Sequence, residues 1–133
     1  MSRRTLLAHL TLDGLVSRDP LWEKIFAFIK KRGVKTYLVG GYLRDLLIGK
    51  PSLDIDLVVE EDSLSYARDL AAHLEGSSFL MDEAHKISRI VIKEDGERVI
   101  DLSTYQGEII SDLKRRDFTV DSMALDLGEF ARK

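Results

Sequence analysis

The sequence predicts a single α/β domain of the α+β kind, in which a mixed, mostly antiparallel sheet is backed by helices. Its 133 residues are 44% hydrophobic and 32% charged, a balance that suits one core. Helix-like and strand-like segments alternate in the first half of the chain, and a hairpin signal at 94–96 follows in the second half. The strands are short and half polar, which disfavours a doubly wound parallel sheet.

Residues 1–34 are predicted to form an N-terminal arm and a helix, ahead of a second unit over 35–133. The helix covers LWEKIFAFIKKR, whose apolar residues recur at helical spacing. Asp19-Pro20 predicts the start of this helix, as N-cap and first-turn proline, and Gly33 predicts its end.

The other elements follow from alternation, caps and turns. Asp62 is expected to cap an amphipathic helix that ends at Gly76, and Asp95-Gly96 tolerates the positive φ of a tight hairpin turn. The remaining predicted elements are strands at 35–40, 53–60 and 78–82, a short helix at 42–49, a hairpin of 86–93 and 97–104, a helix at 107–116, and a helix or helix-to-strand transition at 115–127.

Composition excludes several classes of protein. The chain has no cysteine, which rules out disulfides and thiolate metal sites and makes a reducing cytoplasm the expected location. No apolar run approaches the ~20 residues of a membrane span, and the first residues lack the pattern of a signal peptide. The net charge of −3 does not predict the strongly basic face of a nucleic-acid binder.

Two carboxylates, Asp54 and Asp56, interrupt the apolar strand LDIDLVV. In a strand they project from one face, ~7 Å apart, while Ile55 and Leu57 point to the other. Carboxylates this close repel each other unless a cation lies between them, and Mg²⁺ prefers such oxygen ligands together with substrate phosphates. The alternative is an ordinary polar face of an edge strand, because D-x-D also occurs by chance.

A glycine pair precedes the carboxylates at the end of a predicted strand. Gly40-Gly41 lies just before a short helix, where backbone N–H groups can bind an anion and no Cβ blocks a phosphate. Arg44, one turn later, can add a charge-assisted contact to a triphosphate. The alternative is a tight turn with a surface arginine, but the turn and the acidic pair together predict a nucleotide site.

Two further segments contain candidate site residues. Asp101 interrupts the apolar strand VIDLST as Asp54 does its own strand, and it could supply a third carboxylate or cap a turn. The cationic cluster Lys114-Arg115-Arg116 precedes Asp117, which is expected to cap a helix. Taken alone, such a cluster is typical of a solvated surface.

In order and spacing, the segments LVGGYLRDLLIGKPSLDIDLVV, IDLSTYQGE and LKRRDFTVDSMALD resemble the head domain of bacterial class II tRNA nucleotidyltransferases, the CCA-adding enzymes. Bacterial poly(A) polymerases share this signature. The resemblance covers about residues 35–127. It implies a DNA polymerase β-like nucleotidyltransferase domain that transfers CMP or AMP from CTP or ATP to the 3′-hydroxyl of RNA, most simply tRNA, with Mg²⁺ as cofactor.

The resemblance also assigns roles to individual residues. Asp54, Asp56 and Asp101 match the catalytic, metal-binding carboxylates. The positions that match the nucleotide-binding motifs are Gly40, Gly41, Arg44, Asp45, Arg115, Arg116 and Asp117.

Two departures and three alternatives accompany the resemblance. Asp121-Ser122 replaces the usual Asn-Ala, and Gln106 replaces a common arginine. The neck, which selects the base in the family, and the body and tail lie outside the 133 residues, so weak or unselective activity is expected. The alternatives are a poly(A), CC-only or A-only enzyme, a catalytically silent head that binds nucleotide or RNA, and a small antibiotic-type nucleotidyltransferase. The last usually has Gly-Ser rather than Gly-Gly.

Overall fold

A computed structural model describes residues 12–42, 45, 54–93, 96–105 and 125–130. The described strands form one six-stranded mixed sheet in the order β3-β4-β5-β2-β1-β6. The elements are α1 (Leu12–Arg18), α2 (Leu21–Arg32), β1 (Thr36–Val39), β2 (Asp54–Val59), α3 (Ser63–Leu74), β3 (Ser77–Asp82), β4 (Ile87–Lys93), β5 (Glu97–Thr104), β6 (Leu125–Asp126) and α4 (Leu127–Phe130).

The sheet is mostly antiparallel, as the sequence predicts. Among the described strands, β2 and β5 alone run parallel, and every other neighbouring pair is antiparallel. Parallel neighbours need a long crossover connection, and here α3, β3 and β4 form it. None of the described helices is long and apolar enough to cross a membrane.

The described helices pack on one face of the sheet, and no described helix packs on the opposite face, called the open face below. Alternate strand residues such as Ile55, Leu57, Ile100 and Leu102 are at most 1% exposed. They pack into one cluster with apolar residues of α1, α2 and α3. Because side chains alternate along a strand, the residues between them project from the opposite, open face. The division at residue 34 stays a prediction, although helices before it contribute to this same core.

The ends of two helices refine the sequence analysis. Gly33 ends α2 in the left-handed region with φ 71°, as predicted, and its N–H donates to the Ile29 carbonyl. Asp62 caps α3 by accepting from the Leu64 N–H. The left-handed residue that ends α3, however, is Glu75 with φ 58°, not Gly76. Gly76 is needed for another reason, since a Cβ there would lie 2.7 Å from the Val91 carbonyl oxygen.

Asp19 does not occupy the predicted N-cap position, which Pro20 takes. The Asp19 carboxylate instead accepts two hydrogen bonds from Arg98, Nη1 to Oδ1 at 3.0 Å and Nη2 to Oδ2 at 2.8 Å. Tyr42 donates to the same carboxylate at 2.7 Å, and Trp22 Nε1 donates to the Tyr42 hydroxyl at 2.8 Å. This network ties the residue that follows Gly40-Gly41 to α2 and β5.

Asp19→Ala is expected to destabilise the fold by about 2 kcal/mol, because it leaves the Arg98 guanidinium largely buried without its counter-charge. The Arg98 and Asp19 side chains are 16% and 13% exposed. Urea unfolding measures the change. Asp69→Ala is the matched control, since Asp69 also pairs with an arginine, Arg32, but is 51% exposed, and it should change stability by less than ~1 kcal/mol. Equal losses of stability in the two variants would show that the buried Asp19–Arg98 pair stabilises the fold no more than the exposed Asp69–Arg32 pair does.

The same carboxylate gives the fold a pH dependence. Burial alone would raise the pKa of Asp19, but hydrogen bonds from Arg98 and Tyr42 and the charge of Arg98 outweigh it and lower the pKa below its ordinary 3.8. A carboxyl with a lowered folded pKa stabilises the fold above its unfolded pKa. This contribution is therefore expected to be complete at neutral pH and to be lost as pH falls below about 4. Urea midpoints of Asp19→Ala should be correspondingly less sensitive to acid.

Candidate active site

Three predicted carboxylates lie on the open face of two adjacent strands. Asp54 and Asp56 occupy alternate positions of β2, and Asp101 lies directly beside Asp56 in the parallel register of β2 with β5. Neighbouring strands are ~4.8 Å apart, so paired residues project side by side from the same face. Convergence of these three residues is the arrangement that the sequence analysis expects.

The three carboxylates influence one another electrostatically. Burial raises the pKa of Asp56, and the nearby charges of Asp101 and Asp54 raise it further, while the charge of Arg89 acts in the opposite direction. Asp54 is exposed, whereas Asp56 and Asp101 are half-buried. The ionised form of Asp56 is thus disfavoured, and a cation brought to this face would favour it.

A small apolar cluster lies beside Asp56. Val39 pairs with Asp56 in the antiparallel register of β1 with β2. Together with Val58 and Tyr105 it forms a buried cluster, against which Tyr37 packs edge-on to Tyr105. Apolar neighbours on one side limit access of water to the carboxylate and strengthen its interactions with charges on the other side.

Gly40 places the glycine turn against the same carboxylate. Its φ is 77°, a left-handed conformation that favours glycine, and a Cβ at this position would lie 3.0 Å from Asp56 Oδ2. Gly41 begins a helical turn next to it. Gly40 and Asp56 are therefore close neighbours, separated by little more than the space that a Cβ would fill.

Arg89 is a site residue that the sequence analysis missed. It lies on β4 directly opposite Asp101, and its guanidinium binds that carboxylate through two nitrogens, Nε to Oδ1 at 2.7 Å and Nη2 to Oδ2 at 3.2 Å. The hairpin itself could have revealed it. With a turn centred on Asp95, residue 89 falls opposite residue 101.

Carboxylate oxygens are the ligands that hard divalent cations prefer, and the acidic residues of this face fit such a cation by that chemistry. Within the described part of the chain, however, no three acidic or imidazole side chains are gathered into a ready ligand cluster. Arg89 engages both oxygens of Asp101. A cation bound by Asp101 would replace one or both of these hydrogen bonds.

Several predicted site residues fall outside the described residues. They are Arg44, Arg115, Arg116 and Asp117. The positions that depart from the family pattern, Gln106, Asp121 and Ser122, also lie outside the described residues. Asp45 is described as a half-buried helical residue. The roles assigned to all of them stay predictions.

A mixed sheet with paired strand aspartates beside a glycine turn is typical of nucleotidyltransferases, and comparison with known proteins identifies the class. Residues 36–110 match the family described as the poly A polymerase head domain. This match covers more than half of the chain. The chain therefore belongs to the poly A polymerase head-domain family.

Two proteins that are similar in sequence to this chain are named as tRNA nucleotidyltransferases. The chain is 36% identical over 109 residues to a CC-adding tRNA nucleotidyltransferase of Geobacter sulfurreducens, covering 82% of this chain and 25% of that protein. It is 32% identical over 135 residues to an A-adding tRNA nucleotidyltransferase of Halalkalibacterium halodurans, covering 92% of this chain and 31% of that protein.

A solved structure supports the same fold. The Thermotoga maritima CCA-adding enzyme complexed with tRNA superimposes with a TM-score of 0.70 at 31% identity, over 89% of this chain and 30% of that one. The chain thus spans between a quarter and a third of the length of these proteins. Nucleotidyltransferases generally use a divalent metal ion, which agrees with the oxygen-rich face described above.

Proposed function

We propose that this chain is the catalytic head of an enzyme that transfers CMP or AMP from CTP or ATP to the 3′-hydroxyl of an RNA, most simply the 3′ end of tRNA. The observation that carries the proposal is the side-by-side register of Asp56 and Asp101 on parallel strands, with Gly40 close enough to Asp56 that a Cβ would crowd its carboxylate. The names of the relatives support tRNA as the acceptor. A cytoplasmic location goes with this function.

Asp54, Asp56 and Asp101 would hold Mg²⁺, with the triphosphate completing the ligand sets. Bound divalent ions supply charge neutralisation on the triphosphate and a lowered pKa of the attacking hydroxyl. Mg²⁺ is proposed over other cations because it prefers few carboxylates plus phosphate oxygens.

The chain's own groups would contribute alignment and electrostatics. The N–H groups of the Gly40-Gly41 turn and the side chain of Arg44 would orient the triphosphate, and Arg115, Arg116 and Asp117 would contact its ribose and phosphates. Arg89 would orient Asp101 through whichever of its two hydrogen bonds the cation leaves in place. Fixed groups of this kind lower the barrier because little reorganisation accompanies the reaction.

Poly(A), CC-only and A-only addition remain alternatives within the class, because a glycine turn and carboxylates contact phosphates and metal rather than the base. A silent nucleotide- or RNA-binding head is the alternative from another class. The presence of all three carboxylates on one face argues against it. The small antibiotic-type nucleotidyltransferase ranks last, since the chain has Gly-Gly and the R-R-D-F-T segment.

The 133-residue chain is expected to bind Mg²⁺-nucleoside triphosphates with little preference for the base. The reason is that the candidate groups of the site recognise the triphosphate and the ribose. Isothermal titration with ATP, CTP, GTP and UTP measures the affinities, which should agree within about threefold, or less than ~1 kcal/mol. Strong selectivity would show that a base-recognising surface lies within this chain.

A further inference from the structure

An aromatic side chain lies in the same register row as the carboxylates. Phe79 of β3 pairs with Arg89, Arg89 pairs with Asp101, and Asp101 pairs with Asp56. Paired residues project from the same face of a sheet, so Phe79 stands on the open face together with the candidate active site. β3 is the edge strand on this side of the sheet.

Phe79 is 51% exposed and belongs to a run of three exposed large apolar residues on β3, with Leu80 and Met81. Its neighbour Leu80 is 46% exposed but pairs with the buried Ser88, and so points to the helical side of the sheet. Phe79 and Leu80 thus lie on the same strand and are similarly exposed, but they project from opposite faces of the sheet. Only Phe79 is continuous with the carboxylates.

We propose that Phe79 is a stacking platform for a base near the 3′ end of a single-stranded RNA. The inference deepens the proposed function, on which it rests, by assigning part of the acceptor site. An exposed aromatic ring stacks on any base, and such platforms with adjacent positive charge are how proteins bind single strands without reading their sequence. Arg89, 40% exposed in its side chain, supplies the positive charge between the ring and Asp101.

The spacing suits an RNA whose end reaches the carboxylates. Phe79 is two strands from Asp101 and three from Asp56, or ~10 and ~14 Å across the sheet. At ~3.4 Å per stacked nucleotide, the stacked base lies no more than about four nucleotides from the reacting 3′-hydroxyl. Among the described strands β3 lies at the edge, so an RNA could approach from outside the described sheet.

The test is binding of a short 5′-fluorescein-labelled RNA to the 133-residue chain in Mg²⁺ without nucleotide, followed by anisotropy. Phe79→Ala is expected to weaken binding about 5- to 50-fold, as loss of one stacked base does. Phe79→Trp should bind within about twofold of the original chain, and Phe79→Leu should behave like Phe79→Ala. Leu80→Ala is the matched control and should leave the affinity within about twofold.

Several outcomes would overturn the proposal. They are absence of RNA binding by the original chain, undiminished binding by Phe79→Ala, and full binding by Phe79→Leu. Equal losses from Phe79→Ala and Leu80→Ala would also overturn it, because RNA binding would then depend on β3 side chains of either face and not on a ring on the open face. Titration of Mg²⁺-ATP into Phe79→Ala, expected to match the original chain, separates this result from failure of the nucleotide site.

Discussion

Asp54→Ala combined with Asp56→Ala is expected to abolish nucleotidyl transfer, with a loss of at least ~10³-fold, or about 4 kcal/mol of transition-state stabilisation. The two side chains are proposed to hold the ions that neutralise the triphosphate, and no other described carboxylate could replace both. Incorporation of labelled CMP or AMP into tRNA that lacks its 3′ end, in the full-length enzyme, measures the effect.

The same double variant should remain folded. Both carboxylates project from the open face, and burial together with their neighbours' charges already disfavours the ionised form of Asp56. Removing them relieves repulsion without opening a cavity, so urea unfolding should show no loss of stability. Glu23→Ala with Glu83→Ala, which removes two exposed carboxylates from α2 and from the turn between β3 and β4, should leave transfer unchanged. Retained incorporation by the Asp54/Asp56 variant would remove these residues from the mechanism.

Gly40→Ala is expected to reduce transfer by about 100-fold, the scale of loss that a misplacement near 1 Å causes. The added Cβ would lie 3.0 Å from Asp56 Oδ2, so Asp56 or the turn must move. Moving either changes the distance between the proposed phosphate-binding N–H groups and the metal-binding carboxylate. Transfer assays and urea unfolding of the same preparation measure both effects.

Gly33→Ala is the matched control for Gly40→Ala. Gly33 has φ 71° and Gly40 has φ 77°, so alanine is strained to the same degree at both, by about 1 kcal/mol. A Cβ at Gly33, however, meets nothing within 4 Å. Both variants should lose stability, and only Gly40→Ala should also lose activity. Equal activity of the two would mean that contact with Asp56 has no catalytic importance.

Alternation along the strands is strong enough to predict the acidic face from sequence. Ile55, Leu57 and Ile100 are apolar and their neighbours Asp54, Asp56 and Asp101 are not, so the face of each carboxylate follows from period two alone. The parallel register that sets Asp101 beside Asp56 does not follow from period two, since it depends on how the intervening crossover packs. The expectation that Asp101 belongs to the same site as Asp54 and Asp56 came from the family resemblance and not from the periodicity.

Partners of a side chain that lie far away in the sequence could not be predicted from local patterns. Asp19 precedes a helix and therefore suggests a cap, but it binds Arg98, 79 positions away in sequence. The residues next to Asp19 in sequence do not show whether its carboxylate accepts from a helix N–H or from a distant arginine, because an aspartate before a helix is compatible with both. The position of Phe79 beside Arg89 could not be predicted either. The pairing of β3 with β4 contains a register shift between Leu80 and Asp82, and no turn motif in the sequence indicates it.

The parallel pairing of β2 with β5 has a consequence for how the protein is made. Asp56 and Asp101 are 45 positions apart in the sequence, so their pairing depends on contacts of high sequence separation, which form slowly. While a nascent chain leaves the ribosome, Asp54 and Asp56 emerge well before Asp101. The growing polypeptide therefore cannot complete the proposed ion-binding centre until β5 has joined the sheet.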